Sequence, residues 1–148
     1  MANYLTRAEA DTYFLDSLSA GSWLTASNGD KDKALTMATR LINTLSFRGS
    51  KSDSEQANEF PRGENSYTPQ EVAWACAEIA LCFIDGFDPN KERENLTVLG
   101  EKIDSVASSY SERHKEQWRV TGVPSIVAWN YLLPFLAGKT SLTLFRVN

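Results

Sequence analysis

The sequence predicts a mainly α fold, a compact bundle of about four helices with a small β element. Three observations carry this expectation. Apolar residues recur at three-to-four-residue intervals in four stretches, and helix start signals stand at the heads of several of them. Two short stretches, near 101–110 and 141–147, read instead as strands.

The first helix is expected over Thr6 to Ser17. Thr6 and Glu9 form a Thr-x-x-Glu capping box, and Ala10, Tyr13, Phe14 and Leu18 follow at helical spacing. Trp23, in Gly21-Ser22-Trp23-Leu24, is expected in a short loop with its ring covering the bottom of the core. Asn28-Gly29-Asp30 is a turn signal, with Asn28 or Asp30 as the cap of the next helix. The oxygen ligands of a calcium loop are missing around Gly29.

Two helices then form the centre of the chain. Lys31 to Ser46 places Ala34, Leu35, Ala38, Leu41, Ile42 and Leu45 on one face, and Thr68 to Phe83 does the same with Val72, Cys76, Ile79, Ala80 and Phe83. Thr68 and Glu71 suggest a capping box, Pro69 suits the first helical position and Gly86 is a stop signal. The connection Phe47 to Tyr67 is rich in Ser, Asn, Gly and charge, and loops of that length carry a function or an ordered packing role. At its end Pro61 biases Phe60 toward an extended conformation. Phe60 is expected to plug the helical core, and Arg62 to make a local ion pair that fixes the loop, to reach a carboxylate such as Glu78 or Glu71, or to face a neighbouring molecule.

After Gly86 the composition shifts. Asp88 to Glu94 reads as charged and turn-forming, Glu101 to Tyr110 as an exposed strand, and Ser111 to Arg119 as a polar arm holding the single histidine, His114. A last helix is expected from Pro124 to Leu136, with Ile126, Trp129, Asn130, Leu133 and Leu136 sharing a face and Pro134 loosening its end. Ser141 to Val147 is β-prone. Such a strand needs a partner, either Lys102 to Tyr110 of the same chain or the same segment of a neighbouring subunit.

With 148 residues, 42% of them hydrophobic, the chain is expected to form a single domain, 1–148, with an arm around 88–122 and a terminal strand at 140–148. A net charge of −4 argues against generic nucleic-acid binding, which needs a basic face. Cys76 and Cys82 stand six apart on one expected helix and cannot reach each other, so they read as core residues of a reducing compartment. Met1-Ala-Asn-Tyr resembles no export leader and no run approaches membrane-spanning length, so a cytoplasmic protein with no membrane contact is expected.

No catalytic or metal chemistry is legible. The eight glycines form no phosphate-binding loop. His114 lacks a second His or Cys nearby, and Asp85 and Asp88 sit at a helix end where no apolar pocket would raise a pKa. The expectation is a non-enzyme with no cofactor.

One order of features is more informative than any single motif. Tyr4, Ala10, Tyr13-Phe14, Trp23, Ala34-Leu35, Ala38-Thr39, Ile42, Phe47-Arg48-Gly49, Lys51, Gln56, Phe60-Pro61-Arg62-Gly63, Pro69 and Val72 follow one another at fixed intervals, and a late helix runs from Pro124 to Leu132-Leu133-Pro134-Phe135-Leu136. This order resembles the small head-tail connector (adaptor, head-completion) proteins of tailed bacteriophages, a group also labelled DnaT-like single-stranded-DNA-binding proteins. Many of its members have Trp where this chain has Phe60.

The resemblance implies a helical virion subunit, assembled in the host cytoplasm and placed at the head-tail junction. It would form a homo-oligomeric ring of about twelve copies beneath the portal. Its partners would be the portal and tail proteins, and double-stranded DNA would pass its acidic lumen without specific binding. Candidate portal or subunit contacts are Phe60, Arg62, Ile103, Tyr110, Leu142, Leu144, Phe145 and Arg146. The alternative is a single-stranded nucleic-acid binder, whose cations beside aromatic rings would be Arg48, Lys51 and Arg62.

Overall fold

A computed structural model of the chain describes residues 2–95 and 121–138. The strand expectations at 101–110 and 141–147, the arm at Ser111 to Arg119 with His114, and the candidate contacts Ile103, Tyr110, Leu142, Leu144, Phe145 and Arg146 lie outside the described residues.

The described residues form a mainly α fold. Helix α1 (Arg7–Leu15) starts at the expected capping box, with Thr6 accepting from the Glu9 amide and the Glu9 carboxylate accepting from the Thr6 amide at 2.6 Å. The Trp23 segment is a short helix, α2 (Gly21–Thr25), rather than a loop. Its ring is fully buried, 4.9 Å from that of Phe14, and burial of so large a side chain orders the turn that carries it.

Helix α3 (Asn28–Ile42) begins earlier than its apolar stripe. Ser27 is the cap, its hydroxyl accepting from the Asp30 amide at 3.1 Å, so Asn28 and Asp30 belong to the first turn and Asp30 favours the positive helix end. Helix α4 (Gln70–Ile84) begins one position later than the Thr68 signal implies. Pro69 is extended (φ −56°, ψ 141°) and takes the cap position, so the Thr68–Glu71 box does not form. Gly86 closes the helix as expected: at φ +97° it lets its own amide bond Phe83 O and that of Phe87 bond Cys82 O, a Schellman ending. The segment after it is helical over 89–95, with the Asp88 carboxylate accepting from the Asn90 amide. The sequence reading made this stretch a turn; Asp88 and Pro89 instead supply the cap and first residue of a helix.

The last described helix is α5 (Ile126–Leu132), capped by Ser125, and it tightens into a 3₁₀ turn at Leu133–Phe135 because Pro134 has no amide to donate. Its fully buried residues are Ala128 and Leu132; of the expected face, Leu136 is buried and Trp129 and Leu133 pack partly buried against the core, whereas Ile126, 51% exposed, and Asn130 face outward. Two side-chain contacts, Cys82 with Pro124 O and Trp74 with Tyr131, show α5 running antiparallel to α4.

Helix α4 is the centre. On one side Cys76 meets Leu35 and Thr39 of α3, and on the other Trp74 and Cys82 meet α5 and its lead-in. Small residues at Ala75, Ala77 and Ala80, all fully buried, let both neighbours approach. Helix α1 lies across this layer, with Tyr13 donating to Glu78 at 2.7 Å. A buried cation fixes the first three helices: Lys31 Nζ and Trp23 Nε1 both donate to Asp11 Oδ1, at 2.9 and 2.8 Å, and Lys31 also stands over the Trp23 ring.

Candidate functional site

The loop 47–63 is held between the end of α3 and the 3₁₀ turn after α5. Phe47 is bridged to Leu136, through Arg48 N to Phe135 O at 2.9 Å and Ala137 N to Ser46 O at 3.0 Å. The loop then doubles back on itself at Lys51 and Arg62, with Ser52 N to Pro61 O at 3.1 Å and Gly63 N to Ser50 O at 2.9 Å. The Phe60-Pro61 peptide is cis, and Gly49 and Gly63 take positive φ where the loop turns.

Phe60 is 4% exposed and makes edge-on contacts with Phe47, Phe135 and Tyr4 at centroid distances of 4.7, 5.6 and 6.2 Å. It closes the end of the core and has almost no surface to offer a partner. Below it, the Asn43 carboxamide at the end of α3 takes the Tyr4 hydroxyl proton and the Glu59 amide proton, while its NH₂ bonds Asn58 Oδ1 at 2.9 Å. Burial pushes the Tyr4 hydroxyl up to about 12, so it stays a donor at any ordinary pH.

Arg62 is the hub of the loop. Its Nε donates to Arg48 O at 2.8 Å, Nη1 to Glu59 Oε2 at 2.7 Å and to Glu59 O at 3.2 Å, and Nη2 to the carbonyls of Phe47 and Gly49. Its guanidinium also stands over the Phe47 ring. The expectation that it reaches Glu78 or Glu71 is therefore corrected: Glu59 is the partner, because the hairpin turns the Arg62 side chain back across the loop. Lys51 pairs with the other oxygen of the same carboxylate, Nζ to Oε1 at 3.4 Å. Of the three candidate nucleic-acid contacts, then, Lys51 and Arg62 converge on Glu59, which lowers the charge they could offer a phosphate.

Arg48 differs. It is exposed, its Nε donates to Leu136 O at 3.0 Å, and no described group bonds its two terminal nitrogens. It stands at the mouth of a cleft of about 140 Å³ lined also by Asn65, Pro134 and Phe135. In the sequence Glu59 is legible only as one of the acidic residues, with Asp53, Glu55 and Glu64, that interleave these cations, and Asn43 escaped the sequence reading because it belongs to no apolar stripe or charge cluster.

The other concentration of polar groups is at the α1–α4–α5 junction, where Tyr13 and Tyr131 hydroxyls lie 3.5 Å apart beside Glu78. Burial raises the Tyr13 pKa, so that hydroxyl remains a neutral donor to the carboxylate. Among the described residues no cluster of three His, Cys, Asp or Glu side chains is placed to hold a metal, and no helix is long and apolar enough to cross a membrane.

A family described as "Putative DnaT-like ssDNA binding protein" matches residues 2–147. No curated protein and no solved structure matches the chain.

Proposed function

This chain belongs to the DnaT-like family, and we propose that within it the protein is a structural ring subunit, a head-tail adaptor seated beneath the portal of a tailed bacteriophage. The order of motifs from Tyr4 to Gly86 supports this reading through its resemblance to the connector proteins. The observation that carries it is the use of Arg62: its donors hold the carbonyls and carboxylate of its own loop, so the most distinctive motif of the chain is a rigid strut. What the surface offers instead is apolar, with Leu15, Leu18, Leu24, Tyr67 and Ile126 each more than half exposed. Such residues fit protein contacts, and a net charge of −4 per copy gives a ring through which DNA passes without adhering.

The test is co-sedimentation of the full chain with portal rings of the same phage, with copies counted from the gain in mass. Near one copy per portal subunit is the expected result. No co-migration at tens of micromolar overturns the adaptor reading.

Single-strand binding is the second reading, and the family's description speaks for it directly. Arg48 is the residue that favours it, an exposed guanidinium beside Phe135 and Asn65. Salt-dependent retention of a labelled oligonucleotide, lost in Arg48→Ala, would support it, and no retention at low salt would remove it. Arg62→Ala is unsuitable as a contact probe because it dismantles the loop.

A further inference from the structure

Trp74 and Glu78 stand one helical turn apart on α4, and two phenols close over them, Tyr13 from α1 and Tyr131 from α5. The Trp74 ring lies 6.1 Å from that of Tyr13 and 5.6 Å from that of Tyr131. The Tyr13 hydroxyl donates to Glu78 Oε1 at 2.7 Å, and the Tyr131 hydroxyl lies 3.5 Å from it. All four side chains are half-buried, so a small solute can reach the cluster while its hydrogen bond is sheltered.

What sets Tyr13 apart is the group that accepts its proton. The Tyr4 hydroxyl donates to the Asn43 carboxamide, which is no base at neutral pH, and Tyr67 is 67% exposed. Among the described tyrosines only Tyr13 donates to a carboxylate. A phenol is a weak acid that becomes a strong one on losing an electron, so a tyrosine is oxidised readily where a base takes its proton in the same step. Burial holds the Tyr13 phenol protonated until then. The adjoining indole supplies the other half of the pair, since an indole radical cation accepts an electron from a tyrosine whose proton has a place to go.

We propose that Tyr13 is a proton-coupled redox site that draws oxidising equivalents from Trp74, with Glu78 as its base. A one-electron oxidant of the azide-radical class removes an electron from the Trp74 indole and leaves as azide. Tyr13 then gives one electron to the indole radical cation and its hydroxyl proton to Glu78 Oε1. Trp74 is restored, Tyr13 becomes a neutral tyrosyl radical and Glu78 a carboxylic acid. The positive charge of the oxidised indole and the negative charge of the carboxylate disappear together, which favours the step where separated charges are poorly solvated. The site is separate from the Arg62 loop and rests on neither reading of function above.

Pulse radiolysis of the full chain with the azide radical tests it, following the decay of the indole radical band and the growth of the tyrosyl band. In the wild type the conversion should include a phase whose rate does not depend on protein concentration. Tyr13→Phe and Trp74→Phe should each remove that phase. Glu78→Gln keeps a hydrogen-bond acceptor but supplies no base, and should slow the phase about tenfold or more. Melting curves of the variants separate a loss of fold from a loss of transfer. A further arm needs no substitution: in deuterium oxide the wild-type phase should slow about twofold, as a transferred proton requires. Absence of the phase from the wild type, an unchanged rate in folded Tyr13→Phe or Glu78→Gln, or no slowing in deuterium oxide overturns the assignment and leaves the cluster a packing contact.

Discussion

Glu59 and Arg62 face each other across the Phe60-Pro61 step, Oε2 to Nη1 at 2.7 Å, with their side chains only 23% and 13% exposed. The Arg62 guanidinium stands over the Phe47 ring, and the pair ties the loop that caps the core to the hairpin that returns from it. Removing Arg62 leaves the Glu59 charge and several loop carbonyls short of a donor at once.

Arg62→Ala is therefore expected to cost about 2–4 kcal/mol of stability, and Arg62→Lys to recover little of it, because an ammonium cannot reproduce the planar fork that serves four residues. Urea denaturation measures both. A loss under about 0.5 kcal/mol for Arg62→Ala would mean that the loop holds itself without the guanidinium.

Phe60 is a separate prediction, since its contribution is packing. Phe60→Ala opens a cavity among Phe47, Phe135 and Tyr4 and should cost about 3–5 kcal/mol. Hydrogen exchange in this variant should rise first at the Arg48 and Ala137 amides, which bridge the loop to the 3₁₀ turn. Uniform loss of protection would instead place Phe60 at the centre of a single cooperative unit.

Acid should release the α1–α3 clamp. The Lys31 ammonium, with a smaller share from Trp23, holds the Asp11 carboxyl below its ordinary value of 3.8. A folded value lowered in this way contributes stability above the unfolded pKa and loses it as pH falls through the folded value. The gap in melting temperature between wild type and Asp11→Asn should thus be full at pH 6 and close as the pH falls through the carboxyl's lowered folded value. A gap that does not change with pH would assign the effect of the substitution to shape alone.

The thiols give a fourth test. Burial pushes Cys76 up to about 12 and Cys82 up to about 11, and Cys76 has no exposed surface. Both should resist a disulfide reagent at pH 8 in the folded protein, Cys76 reacting only at the rate of global unfolding. Fast labelling of Cys76 would reveal an opening between α3 and α4 well below the cost of unfolding the whole chain.

The helical class, the order of its main elements, the Thr6–Glu9 box and the Gly86 stop were legible in the sequence. Each rests on residues within one or two turns of each other, where the chemistry is local. The apolar stripe of Lys31 to Ser46 likewise marks the buried face, because period alone decides which side chains point the same way. The start of α4 was misread by one position because Thr68 reads as a cap and Pro69 as a first helical residue, whereas Pro69 is extended and holds the cap position with no side-chain hydrogen bond. The inward face of α5 was placed only in part: Trp129, Leu133 and Leu136 do pack against the core, but its fully buried positions are Ala128 and Leu132, and a small alanine at a close helix crossing looks unremarkable in a stripe of larger residues.

Arg62 was legible as a residue on a stiff strip beside Pro61, while its partner was decided only by the fold. Glu59, Asn43 and Tyr4 meet around the loop from positions up to 55 residues apart, as in Glu59 N to Tyr4 Oη. No spacing rule connects such residues. A side chain with five donors bonds whatever acceptors the backbone path brings within reach, and that path is set by packing Phe60 against rings from three other segments.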